Sequence, residues 1–375
     1  MAKKTKKGVI FPPLVGGSFP NVVRLITQYR VQPKYYIRTF IILLATFFTL
    51  PFRLYEKLFN RKAHQHPIEK EPVFILGHWR SGTTYLHNLI AQDPQMGFLN
   101  TLQNAFPEKV LGSEAIFKWF MKTFMPSKRP GDNVQMSPDY PQEEEFALGN
   151  LDHVYSYYNF WFFPQDAEVL YEKYIRFEGV SKEVRDKWID TYRKLIQKTL
   201  YYHGGSRLVS KNPPHTGRIR ELLEMFPDGK FIHIYRNPVT VFLSTRKFFT
   251  GILKGTRLHD MTPEELEETI FRIYERMMND FLEDVKLIPK DQFYEVKFEE
   301  FEKKPFYYLK EIYDTVGLPG FEEAASQFQT YIDSRKSYKK NKHQIKKELL
   351  DRILNRWGFA MKEWNYDIPE HIEVI

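Results

Sequence analysis

Pro72-Val-Phe-Ile-Leu-Gly77-His-Trp-Arg80-Ser-Gly82-Thr-Thr84-Tyr-Leu-His87 is the stretch that decides how this chain folds. The apolar run Val73–Leu76 predicts a buried strand. It leads into a loop bounded by Gly77 and Gly82, and then into a helix predicted over Thr83–Ala91. Amides at a helix start, with the macrodipole behind them, make an anion site. The spacing G-x-x-x-x-G-T-T shares its glycines with a Walker A loop, but Thr83 stands where that loop carries lysine, and the cation comes earlier, at Arg80. Such a loop suits a phosphate. It lacks the lysine that reaches the outer phosphates of a nucleoside triphosphate, which weakens a kinase or NTPase reading.

Further strands are predicted at Arg207–Val209, Lys230–Tyr235 and Gln292–Val296, followed by helices at about Thr216–Phe226, Pro238–Phe249 and Phe301–Val316. Strands that alternate with helices predict an α/β fold, a parallel sheet flanked by helices. Residues 95–200 differ: aromatic, helically spaced and poor in strand signals, they predict a helical insertion between the first two strands. Within it, Tyr155–Tyr158 and Trp161–Phe163 suit either a helical core or an apolar cleft, a core being favoured.

A second anion site is predicted in Lys230-Phe-Ile-His-Ile-Tyr-Arg236-Asn-Pro238-Val-Thr-Val-Phe-Leu-Ser244. Pro238 suits the first helical position. Arg236 then falls at the carboxyl end of a strand, where open α/β sheets bind ligands. Ser244 follows nearly two turns into the helix.

The chain has 375 residues, net charge +8 and no cysteine. The last point excludes a disulfide framework, a thiol nucleophile and thiolate metal sites. The charge is uneven. Residues 1–62 hold 12 lysines and arginines against one acid, Glu56, leaving the rest of the chain at −3. Arg335–Lys347 holds seven more cations and no acid. Two basic islands on an acidic body fit a nucleic-acid surface poorly. The N-terminal island flanks a charge-free run, Thr39–Phe52, of 14 residues. A bilayer span takes about 20. The run suits a buried core helix, an interfacial helix held on anionic lipid by its basic flanks or, ranked last, a true span, and the single sign of those flanks favours the second. Residues 1–62 are thus predicted as a basic, partly helical membrane-surface segment, and 63–375 as the α/β domain with its helical insertion.

Together the two phosphate segments resemble the PAPS-dependent sulfotransferase family, whose donor is 3′-phosphoadenosine 5′-phosphosulfate, and its broad bacterial branch most of all. Ser210-Lys-Asn-Pro-Pro-His215, Phe226-Pro-Asp-Gly-Lys-Phe231, Phe293-Tyr-Glu-Val-Lys-Phe-Glu299 and Thr315-Val-Gly-Leu318 agree with it, and the likeness runs from about residue 71 to 365. The resemblance implies a P-loop-like fold and sulfonyl transfer from PAPS, with PAP as product and no metal. It implies that Arg80, Ser81, Gly82, Thr83 and Thr84 hold the 5′-phosphate and that Arg236 and Ser244 hold the 3′-phosphate. The segment with Arg335, Lys336, Lys339 and Lys340 is either the family's late basic donor loop or a solvated charge run.

Sulfonyl transfer follows phosphoryl-transfer logic: in-line attack, with cations spreading the developing charge. Lys211, at a strand end, is assigned to the bridging or sulfonyl oxygens. A base must take the acceptor's proton. His215 comes four residues after Lys211, against two in the cytosolic relatives. The other candidates are Glu143, Glu144 and Glu145, on a helix predicted to begin near Pro141, where acids also suit the dipole without any catalytic role. Glu143 and Glu145 rank ahead of His215. The expected function is sulfonation of an apolar alcohol such as a sterol, steroid or other lipid. The expected setting is cytoplasmic, peripheral on the inner face of an anionic membrane, with oligomeric state left open. A P-loop small-metabolite kinase and a non-catalytic, membrane-attached nucleotide-binding protein are the alternatives.

Overall fold

A computed structural model describes residues 12–128, 135–151, 156–335, 343–370 and 372–375. The strands are β1 (Lys70–Leu76), β2 (Met96–Gly97), β3 (Arg207–Lys211), β4 (Lys230–Tyr235), β5 (Phe293–Lys297), β6 (His343–Ile345) and β7 (Ile372–Val374). The first nine helices are α1 (Phe19–Gln28), α2 (Tyr36–Phe48), α3 (Leu50–Phe59), α4 (Thr83–Ile90), α5 (Thr101–Ala105), α6 (Glu114–Phe124), α7 (Glu144–Leu151), α8 (Ala167–Tyr174) and α9 (Lys182–His203). They are followed by α10 (Ile219–Met225), α11 (Pro238–Thr256), α12 (Pro263–Asp284), α13 (Phe298–Lys303), α14 (Pro305–Val316), α15 (Phe321–Ser334) and α16 (Lys347–Glu363).

The chain divides into two compact units. One comprises Lys70–Gly97, Gly205–Lys247 and Glu267–Ile375. It contains the main sheet, five parallel strands in the order β2-β3-β1-β4-β5. Val73–Leu76 of β1 is wholly buried, as a strand flanked on both sides and covered on both faces requires. Pro72 has no N–H to give, and the β1–β3 register shifts between Lys70 and Val73. Strands β6 and β7 form a separate parallel pair. Behind the sheet, Trp357 of α16 stacks on Tyr274 of α12, ring centroids 3.8 Å apart. Arg356 of α16 bridges Glu268 and Glu275 of α12 at 2.7 and 2.6 Å.

The α/β class and the parallel sheet agree with the sequence expectation, and several boundaries move. The short edge strand β2 carries too few residues to show a period. The helix expected over Phe301–Val316 is two helices, because Pro305 opens α14 and the residue before it, Lys304, is held at φ −134°. The helix expected from Thr216 begins at Ile219, since Pro213–Gly217 form a 3₁₀ turn. The helix expected from Pro141 begins at Glu144: Pro141 bridges Asn100, and the Gln142 N–H donates to Leu99 O at 2.8 Å.

The other unit comprises Met1–Glu69, Phe98–Gly204 and Phe248–Leu266. The N-terminal segment is therefore grouped with residues 98–204. Leu14, Val22, Leu25 and Ile42 share a core with Phe162, Phe163 and Leu258. Phe160 and Trp161 meet Phe249 and Phe248 at 5.3 and 5.9 Å. The aromatic run at 157–163 is thus core, while Tyr155 lies outside the described residues. Helices α2 and α3 follow each other across Thr49, so the charge-free run is part of a helical stretch, Pro33–Phe59, long and apolar enough by length and composition to cross a membrane. Pro51 does not end it, because it stands in the first turn of α3, where no intrahelical donor is needed.

Candidate active site

The loop after β1 is shaped by three residues with positive φ. Gly77 has φ +140°, and a Cβ there would stand 2.4 Å from Ile234 O, so only glycine fits. Its N–H donates to Thr216 Oγ1 at 2.8 Å. Arg80 has φ +74°, a left-handed conformation that costs a non-glycine residue about 1–2 kcal/mol. Its side chain is tied down, Nε donating to Ser244 Oγ at 2.9 Å. Gly82, φ +101°, is the N-cap of α4, and a Cβ there would stand 2.1 Å from the Phe298 ring. Ser81 and Thr83 are buried, and Thr83 and Thr84 open the helix.

Arg236 leaves the carboxyl end of β4. Its Nη1 donates to Arg80 O at 3.4 Å, its guanidinium lies over the Phe298 ring, and its Nε stands 4.0 Å from Glu299 Oε1. Asn237 Oδ1 accepts from the Val239 N–H at 3.0 Å and so caps α11, the helix that carries Ser244. Arg80 to Thr84, Arg236 and Ser244 therefore form one cluster. It lies beside β1, the central strand from which the sheet is wound in both directions and the usual ligand crevice of such sheets.

Lys211 ends β3, in register with Ile75, and is buried. Burial, and then the Lys211 charge, push the His87 imidazole of α4 down to about 3, which leaves His87 neutral. In the loop itself, burial pushes His78 down to about 4, and its Nδ1 donates to Trp79 O at 2.9 Å. His215 is buried in the 3₁₀ turn, edge-on to Phe74, and held well below its ordinary value by burial and then by Arg218.

Glu143 and Glu145 belong to the other unit. Tyr158 OH donates to Glu143 Oε2, and the Tyr157 N–H donates to Glu145 Oε1 at 2.8 Å. Glu145 is fully buried, whereas Glu143, just ahead of α7, retains slight exposure. Arg335 ends α15, the helix whose Tyr331 stacks on Tyr85 of α4 at 6.3 Å. Burial and then Tyr331 push Tyr85 up to about 12, and the Arg335 charge opposes that rise. Lys336, Lys339 and Lys340 lie outside the described residues. Among the described residues, no group of His, Asp or Glu is disposed to hold a metal.

Phe298, Glu299 and Thr216 join this cluster without a local sequence signal. The first two stand in the stretch Phe293–Glu299 already noted for its likeness, but nothing local says that Phe298 covers Gly82. Thr216 follows His215 directly and looks like an ordinary turn residue.

Residues 72–323 match the sulfotransferase family. The chain is 30% identical over 363 residues to the omega-hydroxy-beta-dihydromenaquinone-9 sulfotransferases of Mycobacterium bovis and Mycobacterium tuberculosis, covering 95% of this chain and 92% of theirs. Its fold is similar to that of a Mycobacterium avium sulfotransferase, with TM-score 0.69, 18% identity and coverage of 94% and 91% of the two chains. A Mycobacterium tuberculosis sulfotransferase gives 0.66 at 16% identity, with coverage of 91% and 92%. With these matches along most of its length, the chain belongs to the sulfotransferase family.

Proposed function

We propose that the protein transfers a sulfonyl group from PAPS to the hydroxyl of an apolar, lipid-like alcohol. The observation that carries this reading is the bond from Arg80 to Ser244, which joins two anion motifs into one cluster with Arg236. A donor with a 5′-phosphosulfate and a separate 3′-phosphate asks for two neighbouring anion sites. The relatives named for an omega-hydroxylated menaquinone support an apolar alcohol as acceptor.

In this reading Arg80 and the amides of Ser81 to Thr84 take the 5′-phosphate, and Arg236 and Ser244 the 3′-phosphate. The acceptor oxygen attacks sulfur as the bond from sulfur to the phosphate oxygen breaks. Lys211 and the loop spread the charge that develops on the leaving oxygen. Arg335, with Lys336, Lys339 and Lys340, is assigned to the donor's 3′-phosphate. The acceptor's proton goes to a carboxylate. Glu143 is preferred to Glu145, whose carboxylate holds a backbone amide, and to His215, which is shut away against Phe74. A small-metabolite kinase gains no support, since Thr83 replaces the lysine and the family is a sulfotransferase family. Residues 1–62 hold the enzyme peripherally on the cytoplasmic side of an anionic membrane.

Incubation with PAPS and pools of lipid, steroid, phenol and sugar alcohols tests the reaction by mass spectrometry. The expected product is a lipid alcohol heavier by one SO₃, formed without added metal. Its absence from every pool removes the proposal. Glu143→Gln should abolish turnover and keep PAP binding, and full activity in that variant would remove the assignment of the base.

A further inference from the structure

We infer that the outward faces of α2, α3 and α6 form a monotopic insertion surface whose partner is the headgroup–acyl boundary of an anionic bilayer. The inference rests on the peripheral membrane contact proposed above and says which side chains enter the lipid and how deep.

Helices α2 and α3 turn an apolar face outward, which a water-facing segment does not need. Ile37 is 78% exposed and Phe48 69%, and Phe40, Ile41, Leu54, Leu58 and Phe59 also point outward. The inward face packs Ile42 and Phe52 on the unit's core and is tied down by polar bonds. Arg38 donates to Arg257 O at 2.7 Å and Lys254 O at 3.3 Å, and Tyr35 OH to Asp260 at 2.7 Å. Arg53 pairs with Glu108 at 2.5 Å, Glu56 pairs with buried Lys198, and Asn60 reaches Leu111 O at 3.3 Å. All of these partners belong to the same compact unit.

Those bonds decide between two ways of meeting lipid. By length alone Pro33–Phe59 would span a bilayer. Spanning would pull Arg38, Arg53 and Glu56 off their partners and carry them into hydrocarbon, where each charge is costly. Lying flat keeps every bond and buries only the apolar side.

Helix α6 extends this surface. Its inner residues Phe117 and Met121 share a core cluster with Phe106, packed against which is Phe52 of α3, 5.2 Å from Phe117. Its outer residues Ile116 and Trp119 are exposed, Trp119 by 65%. An indole suits the lipid–water boundary. Lys57, Arg61, Lys62 and Lys122 are exposed along these helices, and the one acid of residues 1–62, Glu56, faces inward to Lys198. That charge pattern selects anionic lipid over a neutral surface or a second copy of the chain.

The molecule carries its own reporter. Of six tryptophans, Trp119 is exposed, and Trp79, Trp161, Trp188, Trp357 and Trp364 are buried. The full-length protein is mixed with phosphatidylcholine vesicles, with and without phosphatidylglycerol, made with lipids brominated near the headgroup or near the chain end. The expected result is binding to the anionic vesicles and quenching strongest with shallow bromines. Trp119→Phe should lose the quenching and keep binding. The triple variant Ile37→Ser, Phe48→Ser, Leu58→Ser should bind at least about tenfold more weakly, and because these positions are exposed it should keep the wild-type melting temperature. Binding without quenching means contact by charge alone: the insertion surface is then wrong while the peripheral reading stands. Strongest quenching by deep bromines overturns the flat placement. No binding to either vesicle overturns both, as does a stable dimer that hides Trp119 from quenchers in water.

Discussion

The guanidinium carbon of Arg236 lies 4.5 Å from the centroid of the Phe298 ring, and the same ring closes over the Cα of Gly82. One aromatic side chain thus supports the helix cap of the first proposed phosphate motif and the cation of the second. Phe298→Ala should release Arg236 and leave a void against Gly82. With a cation–π contact worth about 0.5–2 kcal/mol, PAP affinity is expected to fall about 2- to 30-fold. Affinity for AMP, which has no 3′-phosphate, should change much less. Calorimetric titration with both nucleotides checks this, and equal losses would show that Phe298 supports only the cap.

Ser244 Oγ accepts from Arg80 Nε, so the residue assigned to the 3′-phosphate also fixes the cation assigned to the 5′-phosphate. Removing an acceptor from a charged donor costs about 1.5–3 kcal/mol when the donor is left without a substitute. Ser244→Ala should therefore weaken binding of the 5′-phosphosulfate as well as of the 3′-phosphate. Combined with Arg80→Ala, its effect should be far from additive. A double-mutant cycle on PAP binding measures the coupling, and additive losses would mean the bond is not made in solution.

Lys198 and Glu56 form a buried ion pair, with Lys198 also donating to Pro107 O and Glu56 accepting from the Leu111 N–H at 2.8 Å. Burial raises the Glu56 carboxyl, and the Lys198 charge pulls it back. Lys198→Met strands the acid and should cost about 3–5 kcal/mol. Adding Glu56→Gln to that variant should recover part of the loss, because a neutral amide has no charge to desolvate. Urea denaturation of the two variants decides the matter.

Lys109 is buried, and its amine donates to Gly17 O at 2.9 Å and Thr49 Oγ1 at 2.8 Å. A neutral amine has two hydrogens, and both acceptors are present. Burial pushes its pKa down to about 7 from 10.5, with Glu108 acting the other way. Between those two values the unfolded chain holds a proton that the folded one has shed, so stability should rise with pH across that window. The slope is at most about 1.4 kcal/mol per pH unit. Below pH 7 both states are protonated and the folded state carries the full cost of the buried charge. Lys109→Met should flatten the rise between pH 7 and 9, measured as the difference between variant and wild type. Parallel curves would place the Lys109 pKa outside the window.

Much of the sheet unit is legible from residues read in order. Val73–Leu76, the glycines at 77 and 82, Pro238 and the basic strand ends act over a few residues, because backbone sterics, helix capping and apolar periodicity are local. They are enough to mark a parallel sheet and two anion motifs. Segment boundaries are not legible where a proline acts within one turn, as at Pro305, or where a strand is as short as Met96–Gly97.

The meeting of those motifs belongs to the tertiary structure. Arg80 and Ser244 are 164 positions apart, and strand order brings them together. No local signal told that Phe298 would fill the place of a Cβ at Gly82, or that Thr216 would hold the Gly77 amide. The Tyr36–Phe59 stretch makes the same point from the surface. Its apolar composition is plain in the residues, but which face looks outward is set by Arg38, Arg53 and Glu56 finding partners at 257, 108 and 198. Composition sets how much apolar surface a helix has, and long-range contacts, polar at Arg38, Arg53 and Glu56 and apolar at Ile42 and Phe52, decide which way it points.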